Sequence, residues 1–435
     1  MCVGWGSRAY AGTPVGKIAA HDTLPAPGTQ YPSFRKKRWN CRAACGILFA
    51  RPCGGMAEWS IAAVLKTVEA HVSGGSNPSP SASFHLTFTM KKVRIGIIGC
   101  GVISATHIEC YRAIPGVEVS WLCDLRADRL AERAAKYGIR KTTRDAAEVF
   151  AARDVDAVSI CTDHASHAAL CLAALDAGKD VLCEKILANN RANLRRMVAA
   201  ANAHPERVFG AVFQHRFDPV NIRMREILAS GALGRLLTAG VQLRCYRSDD
   251  YYRGDDWRGT WKLEGGSILV NQAIHFIDQL LWQVDSPATP IGFHANLAHR
   301  GVIETEDTAV AALRFRNGAL GTLEATCGSN LNWESTLSYH GTLGSIDLRD
   351  DKPLKVEFRD AATAERIRAE LAEATAPKHG VSGKTYYGTG HMAQLHDFVE
   401  AVRTRRPPAV TVPDAAKTAS FIFDIYASQK RRAAR

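Results

Sequence analysis

The sequence predicts an α/β domain that binds a nucleotide, followed by an α+β domain with a large, mostly antiparallel sheet. A glycine-rich turn follows a β-branched run near Ile97, and strands and helices then alternate to about residue 212. From Thr308 to Leu348, short strands instead follow one another, separated by the turn sequences RNG and GTLG. Alternation favours a parallel sheet with helices on both faces, and successive strands favour antiparallel pairing.

The composition is that of a globular protein long enough for two or three domains. The chain has 435 residues, of which 46% are hydrophobic and 23% charged. No apolar run approaches the roughly 20 residues that cross a bilayer. The net charge of +12 is uneven, because residues 1–89 hold nine Lys and Arg against three Asp and Glu, a net of +6. We therefore expect no nucleic-acid and no membrane partner.

The twelve cysteines form no CxxC or Cys/His pattern of a zinc site, so the sequence predicts no metal site. Eight of them lie in apolar or strand-like stretches, which predicts buried free thiols in a reducing cytosol. These eight are Cys100, Cys110, Cys123, Cys161, Cys171, Cys183, Cys245 and Cys327.

Residues 1–89 show no sustained strand or helix period, and we expect an unstructured or spurious extension. The stretch Met56–Ala82 resembles the product of reading through a bacterial transfer-RNA gene, which would make Met90 the natural start. A localisation or lipid-binding role of RKKRWNCR and a targeting role of AACGILFA are the alternatives.

The turn IIGCGVIS predicts a dinucleotide site of the Rossmann type. A buried strand, Val93–Ile98, ends in Gly99 and Gly101, the residues that allow a tight turn and close approach of phosphate to the backbone. A helix starting near Ser104 would aim its first amides at a pyrophosphate, with Val102 and Ile103 between turn and helix. A plain tight turn is the alternative.

Asp124 follows the second predicted strand, VEVSWLCD, 25 residues beyond Gly99. This is close to the offset of an acid that binds the ribose 2′-hydroxyl, and a carboxylate there favours NAD over NADP. Capping of the next helix is the alternative role for Asp124. The neighbouring Arg126 keeps NADP possible, since a guanidinium pairs with phosphate.

The stretch EGGSILVNQAIHFIDQLLW predicts a helix with one polar face. Asn271, His275 and Asp278 stand at i, i+4 and i+7 among apolar residues, and buried polar groups need partners that a polyol substrate would provide. We expect His275 to be the base and Lys185, at the end of the strand DVLCEKI, to stabilise alkoxide charge. A core histidine and a surface lysine are the alternatives. Further pocket candidates are Gln214, Arg216, Tyr246, Trp257, Arg258 and Trp261.

From Met90 to Arg435 the chain resembles the Gfo/Idh/MocA oxidoreductases. The resemblance rests on the glycine-rich turn, His167, the Glu184-Lys185 pair, and the motifs FQHRFDP, GALGR, WRGTW, EGGSILVNQAIHFIDQLLW, GTLGSIDL and GHMAQLHDFVEAVRTRRPPAV. It implies a Rossmann domain at 90–212 and a substrate and oligomerisation domain at 213–435, whose last helix packs back on the first domain. It adds Thr162, His167 and Glu184 to Lys185 as cofactor contacts.

The resemblance also implies a homodimer or homotetramer that transfers hydride between NAD, or NADP, and a sugar, sugar derivative or cyclitol, and the cysteine usage predicts a cytoplasmic location. A non-sugar substrate such as an aromatic diol, and a cofactor-binding regulator without turnover, are the alternatives. Two positions depart from the family. Ile186 replaces the proline that usually follows Glu-Lys, so we expect a trans bond there, and Asn271 replaces an aspartate of inositol dehydrogenases.

Overall fold

The computed structural model describes residues 91–375 and 390–433, and these contain two sheets. The predicted extension 1–89 lies outside the described residues. The strands are β1 Val93–Ile98, β2 Val117–Cys123, β3 Lys141–Thr143, β4 Ala157–Ile160, β5 Asp180–Cys183, β6 Phe209–Ala211, β7 Leu236–Arg244, β8 Ala288–Ala295, β9 Thr308–Phe315, β10 Leu320–Thr326, β11 Thr336–Gly341, β12 Gly344–Arg349 and β13 Lys352–Phe358.

Eleven helices of the described residues surround these sheets. They are α1 Val102–Ala113, α2 Ala127–Tyr137, α3 Ala146–Ala151, α4 His167–Asp176, α5 Arg191–Ala203, α6 Pro219–Ala229, α7 Asp249–Arg253, α8 Ile274–Val284, α9 Ala361–Thr375, α10 Gly390–Thr404 and α11 Val412–Ala433. A 3-10 turn at Gln214–Phe217 precedes α6, and a π-helical turn at Ile268–Gln272 precedes α8. Within this part of the chain, no helix has the length and apolarity to cross a bilayer.

The first sheet is parallel throughout, in the order β3-β2-β1-β4-β5-β6. Its central strands are covered on both faces, and Val93, Ile95, Ile97 and Ile98 of β1 are all buried. This explains the apolar runs of the sequence, since strands buried on both faces carry no alternation. The carboxyl ends of the strands meet at one edge, where an open α/β sheet binds its ligand.

The second sheet has the order β13-β12-β11-β7-β10-β9-β8 and is antiparallel except between β7 and β10. Buried and exposed residues alternate along β9, as in a sheet with one covered face. Helix α8 packs against β7, and helix α11 packs against β8. Both predicted sheets are therefore confirmed.

The last two helices contact the parallel sheet and its helices as well. Helix α10 packs on α1 and β1, and helix α11 packs on α5 and β6. Arg403 in α10 donates from Nε to the backbone oxygen of Lys91, 3.2 Å away and two residues before β1. Helices α10 and α11 thus form part of the outer layer of both domains.

The eight cysteines predicted to be buried are buried and free, so the predicted thiols are confirmed. Burial raises the pKa of the Cys100 thiol to about 12, and it raises the pKa of Cys110 to about 11. Such thiols are protonated at neutral pH and act as small apolar side chains.

Candidate functional site

A cleft of about 2680 Å³ lies between the edge of the parallel sheet and the second domain. One wall comes from the residues that follow β1, β2, β4 and β5. The other comes from the segment around Tyr251 and Arg258, the π-helical turn and the start of α8. The predicted residues that line it are Gly99, Gly101, Val102, Ile103, Asp124, Arg126, Thr162, Glu184, Lys185, Gln214, Trp257, Arg258, Asn271 and His275.

The glycine-rich turn has the shape that a pyrophosphate needs. Gly99 has φ +95°, and a Cβ there would lie 2.6 Å from the carbonyl oxygen of Cys161, so only glycine fits. A Cβ at Gly101 would meet nothing within 4 Å, which leaves its backbone open to the cleft. Gly101 is also the N-cap of α1 and offers no side chain to the first amides, which are left for an anion.

Helix α1 begins at Val102, two residues before the expected start at Ser104. Ser104 is fully buried, and its hydroxyl donates to the backbone oxygen of Gly101 over 2.6 Å. This hydrogen bond joins the glycine-rich turn to the start of the helix, so Val102 and Ile103 belong to the first helical turn.

Asp124 stabilises the glycine-rich turn by accepting backbone hydrogen bonds. Its Oδ2 accepts from the backbone N–H of Cys100 at 2.6 Å, and its Oδ1 accepts from the N–H of Arg126 at 2.7 Å. Arg126 is exposed and paired with Asp128. The carboxylate therefore stands at the cleft with a fixed orientation and with lone pairs left for a ribose hydroxyl.

Glu184 lies deeper and is tied to the parallel sheet. It is buried, its Oε1 lies 2.9 Å from Nε2 of His107, and its Oε2 accepts from the N–H of Lys185. Although burial raises the pKa of a carboxylic acid, the bond to His107 and the charges of His107, His391 and Lys185 together outweigh it and hold the pKa of Glu184 at about 2. Glu184 therefore fixes the backbone from which the Lys185 side chain extends.

Lys185 crosses the cleft to the π-helical turn. Its Nζ donates to the backbone oxygen and to Oδ1 of Asn271, each 2.8 Å away. Burial lowers the pKa of Lys185 to about 8, although the charges of Glu184 and Glu264 act in the opposite direction. An ammonium group held at this point can place positive charge beside a developing alkoxide.

Asn271 is oriented by a residue that the sequence analysis missed. The fully buried Glu264 accepts from Nδ2 of Asn271 at 2.7 Å, so Oδ1 of Asn271 faces Lys185. Burial raises the pKa of Glu264 to about 7. Glu264 is the first residue of the motif EGGSILVN. An acidic residue directly before two glycines was the sequence feature that could have indicated its role.

His275 stands in the first turn of α8, and its Nδ1 has no hydrogen-bond partner among the described residues. Burial lowers the pKa of His275 well below 6.5, and the charges of Lys185, His215 and His391 lower it further. The imidazole is thus neutral near pH 7, lines the cleft and can accept a proton.

The walls beside Asn271 are aromatic and basic. The Arg258 guanidinium lies 4.2 Å from the centre of the Tyr251 ring, and the Trp257 ring meets His164 at 5.0 Å. Asp255 pairs with Arg258, and also with Arg129 on the opposite wall of the cleft. Aromatic faces with fixed donors are suited to a ring that carries hydroxyl groups.

Arg216 and Asp278, predicted to bind substrate, do not line the cleft. Arg216 donates to Asp278 from Nε at 2.7 Å and from Nη2 at 2.6 Å, and both side chains are buried. Thr418 of α11 donates to the same carboxylate. The expected polar face assumed one continuous α-helix, whereas the π-helical turn places Asn271 and His275 at the cleft and Asp278 in the core.

His167 is also displaced from its expected role. It is fully buried, with Nδ1 2.8 Å from the carbonyl oxygen of Ile186 and Nε2 3.2 Å from that of Thr162. It holds the turn behind Lys185 rather than lining the cleft. Tyr246 and Trp261 do not line the cleft either. Trp261 packs on Tyr426, and its Nε1 donates to the backbone oxygen of Glu304.

The peptide bond between Lys185 and Ile186 is cis, which corrects the expected trans bond. The Ile186 side chain is almost fully buried, and its carbonyl oxygen faces His167. Tertiary contacts thus set this turn, and Lys185 points into the cleft even though the usual proline is replaced.

Comparison with known proteins agrees with this architecture. Residues 93–211 match the "Oxidoreductase family, NAD-binding Rossmann fold", and residues 222–347 match the "GFO/IDH/MocA C-terminal domain". The chain is 34% identical over 312 residues to inositol 2-dehydrogenase 3 of Saccharopolyspora erythraea, covering 71% of this chain and 85% of that protein. It is 26% identical to myo-inositol 2-dehydrogenase of Thermotoga maritima over 334 residues, which cover 74% of this chain and 92% of that protein.

A solved structure shows the same arrangement. The WlbA dehydrogenase from Bordetella pertussis, in complex with NADH and UDP-GlcNAcA, superposes with a TM-score of 0.70 and 26% identity, covering 78% of this chain and 96% of that one. The glycine turn, the anchored acid after β2 and the two matched domains give one conclusion: the chain belongs to the Gfo/Idh/MocA oxidoreductase family and has its NAD-binding Rossmann fold.

Proposed function

We propose that this protein is an NAD-dependent dehydrogenase or reductase that acts on a CH–OH group of a sugar, sugar derivative or cyclitol. One observation carries the proposal. Lys185 and His275 line the same cleft as the glycine-rich turn, and Nζ of Lys185 is bonded to Asn271, one turn before His275. A cationic donor and a neutral acceptor are the two groups that alcohol oxidation requires.

Lys185 and His275 have different roles in the proposed reaction: one stabilises charge and the other accepts a proton. Nζ of Lys185 donates to the substrate oxygen and stabilises negative charge as the hydroxyl proton leaves. The neutral imidazole of His275, which lines the cleft, accepts that proton. The nicotinamide cofactor, held by Gly99, Gly101 and Asp124, supplies the hydride acceptor when bound.

Polar and aromatic groups of the cleft support a polyol substrate. Asn271, Trp257 and Arg258 line the cleft beside Lys185 and offer an amide, an indole face and a guanidinium. The relatives named above act on inositol, and the compared structure contains a nucleotide sugar. A ring with several hydroxyl groups is the ligand class common to these names.

The direct test is reduction of NAD by the purified chain with myo-inositol, levoglucosan and UDP-GlcNAcA, followed by the absorbance of NADH. We expect turnover with at least one member of this set or a close epimer, and loss of turnover in Lys185→Ala. A chain that binds NADH but turns over no polyol in either direction would instead support a cofactor-binding regulator.

We also propose that the protein forms a homodimer or homotetramer in the cytoplasm through the outer face of the second sheet. Exposed apolar side chains lie together on its β8, β9 and β10 strands, where Phe293 pairs with Val310, and Ile291 lies on the next row of the same face. Patches of this kind are typical of interfaces. The eight free thiols support a reducing compartment.

A further inference from the structure

Glu264 is a fully buried carboxylate that takes no direct part in the reaction proposed above. It precedes the π-helical turn and does not line the cleft. Its Oε2 accepts from the backbone N–H of Gly259 at 2.5 Å, and its Oε1 accepts from Nδ2 of Asn271 at 2.7 Å. Both carboxylate oxygens thus accept a hydrogen bond, and the Asn271 side chain separates the charge of Glu264 from that of Lys185.

The bond to Glu264 determines which end of the Asn271 amide faces Lys185. A carboxylate only accepts hydrogen bonds, so it takes the amide nitrogen, and an ammonium group only donates, so it takes the amide oxygen. Nζ of Lys185 lies 2.8 Å from Oδ1 of Asn271. A second carboxylate at position 271 would repel Glu264, whereas the asparagine joins the carboxylate of Glu264 to the ammonium group of Lys185.

The segment of Glu264 is anchored to the loops that follow the parallel strands. Nδ1 of His164, after β4, donates to the backbone oxygen of Glu264 at 2.8 Å. Nδ2 of Asn189, after β5, donates to the backbone oxygen of Lys262 at 2.7 Å. The carboxylate of Glu264 therefore has a defined place relative to the sheet that carries Lys185.

We propose that Glu264 is a positioning residue whose negative charge, acting through Asn271, holds the Lys185 ammonium group where the substrate oxygen binds. The inference rests on the proposed dehydrogenase function, in which Lys185 stabilises the alkoxide. A lysine side chain is flexible, and its charge favours a transition state only from a fixed position. Glu264 supplies this order from outside the cleft.

Glu264 also contributes to the charge balance of Lys185. The charged and titratable groups around Lys185 are Glu184, Glu264, Arg247, Arg258, His164 and His275. The two carboxylates raise the pKa of Lys185, whereas burial and the two guanidinium groups lower it, and the result is about 8. Both imidazoles are neutral near pH 7, because burial lowers their pKa well below 6.5. Removal of the Glu264 charge should therefore lower the pKa of Lys185 further.

The test exchanges donor and acceptor between Glu264 and Asn271. In Glu264→Gln, the new amide nitrogen faces either Nδ2 of Asn271 or the N–H of Gly259, so a donor meets a donor. We expect kcat to fall by up to about 10²-fold, the loss that follows a misplacement of about 1 Å, while NADH affinity is retained. Adding Asn271→Asp lets the glutamine donate to a carboxylate that still accepts from Lys185, so the double variant should recover much of the lost kcat.

The pKa of Lys185 provides a measurement without turnover. Trace acetylation of the full chain with acetic anhydride, without substrate and over a series of pH values, gives this pKa when the labelled peptide is quantified by mass spectrometry. Glu264 is mainly ionised above pH 7, because burial and the charge of Glu306 raise its pKa to about 7, although Lys185 and the bonds from Gly259 and Asn271 act in the opposite direction.

We expect a lower pKa of Lys185 in Glu264→Gln than in the wild type, and a return to the wild-type value or above it in the double variant. Glu304→Gln, at an exposed carboxylate outside the cleft, is the control and should leave the pKa of Lys185 unchanged.

An unchanged pKa of Lys185 in Glu264→Gln, or a loss of kcat that the double variant does not recover, would overturn the proposal and leave Glu264 a purely structural role. If Glu264→Gln does not fold, the double variant decides: it should fold and show a Lys185 pKa no lower than the wild type, and any other result would exclude the link through Asn271. A wild type that oxidises no polyol would refute the proposed function instead, while the acetylation still tests Glu264.

Discussion

Lys185 and Asn271 are joined by two hydrogen bonds of 2.8 Å, from one ammonium group to the backbone and side-chain oxygens of a single residue. They connect the carboxyl end of β5 to the π-helical turn across the cleft. The asparagine thereby fixes where the positive charge of Lys185 lies. Asn271→Ala should therefore reduce kcat more than NADH affinity, which stopped-flow and NADH fluorescence can separate.

The pH dependence should report on Lys185. Its pKa is lowered to about 8, so the cation is present below this pH and is lost as the pH rises through it. We expect kcat/KM of alcohol oxidation to level off and fall above about pH 8, and Lys185→Arg to shift this fall to higher pH if it retains activity. A fall at the ordinary lysine pKa in the wild type would contradict the buried environment of Lys185.

His275→Ala should lower kcat by about 10²- to 10⁴-fold, the usual cost of losing a general base. NADH affinity should change little, since His275 lies on α8 in the second domain. His340→Ala, at a half-exposed histidine on β11 outside the cleft, is the control and should retain wild-type turnover. Wild-type kcat in His275→Ala would exclude His275 as the proton acceptor.

Asp124→Ser tests the choice between NAD and NADP. The substitution removes the negative charge that would repel a 2′-phosphate, and it also removes the acceptor for the Cys100 and Arg126 amides. We expect weaker NADH binding and relatively better NADPH binding by fluorescence titration. Equal loss for both cofactors would show that Asp124 only anchors the turn.

Asp278→Ala should destabilise the fold by less than the about 3–5 kcal/mol of an uncompensated buried charge, because Arg216 loses its bidentate partner but keeps its ion pair with Asp414. Urea unfolding with and without NADH measures this change. If Asp278 were instead a substrate contact, the variant would show a raised KM with little change in unfolding free energy.

Leu320→Glu should disrupt the proposed assembly. Leu320 lies on β10 and is 54% exposed, and a carboxylate within an apolar interface is costly. Sedimentation velocity should show a smaller species than the wild type. Leu354→Glu on β13, 50% exposed at the opposite edge of the sheet, is the matched control and should sediment as the wild type.

Both sheets could be predicted because periodicity and turn residues are local signals. The Gly99 turn, Asp124 and the helix of His275 were found in the same way. The orientation of Asp278 could not be predicted, since one extra residue in the π-helical turn changes the side that later residues face. Partners such as Glu264 for Asn271, or Asp351 for His215, depend on tertiary contacts that no spacing encodes.

The packing of α10 against α1 and β1 has a consequence for synthesis of the chain. Leu395, Phe398 and Val402 share a core with Val93 and Ile95, and Arg403 is bonded to a residue 312 positions earlier. Domains generally fold in order as they leave the ribosome, but here the nucleotide-binding half lacks part of its outer layer until α10 has emerged. Ribosome-bound chains arrested before residue 390 should therefore be protease-sensitive at β1, and dinucleotide binding should appear only near the end of translation.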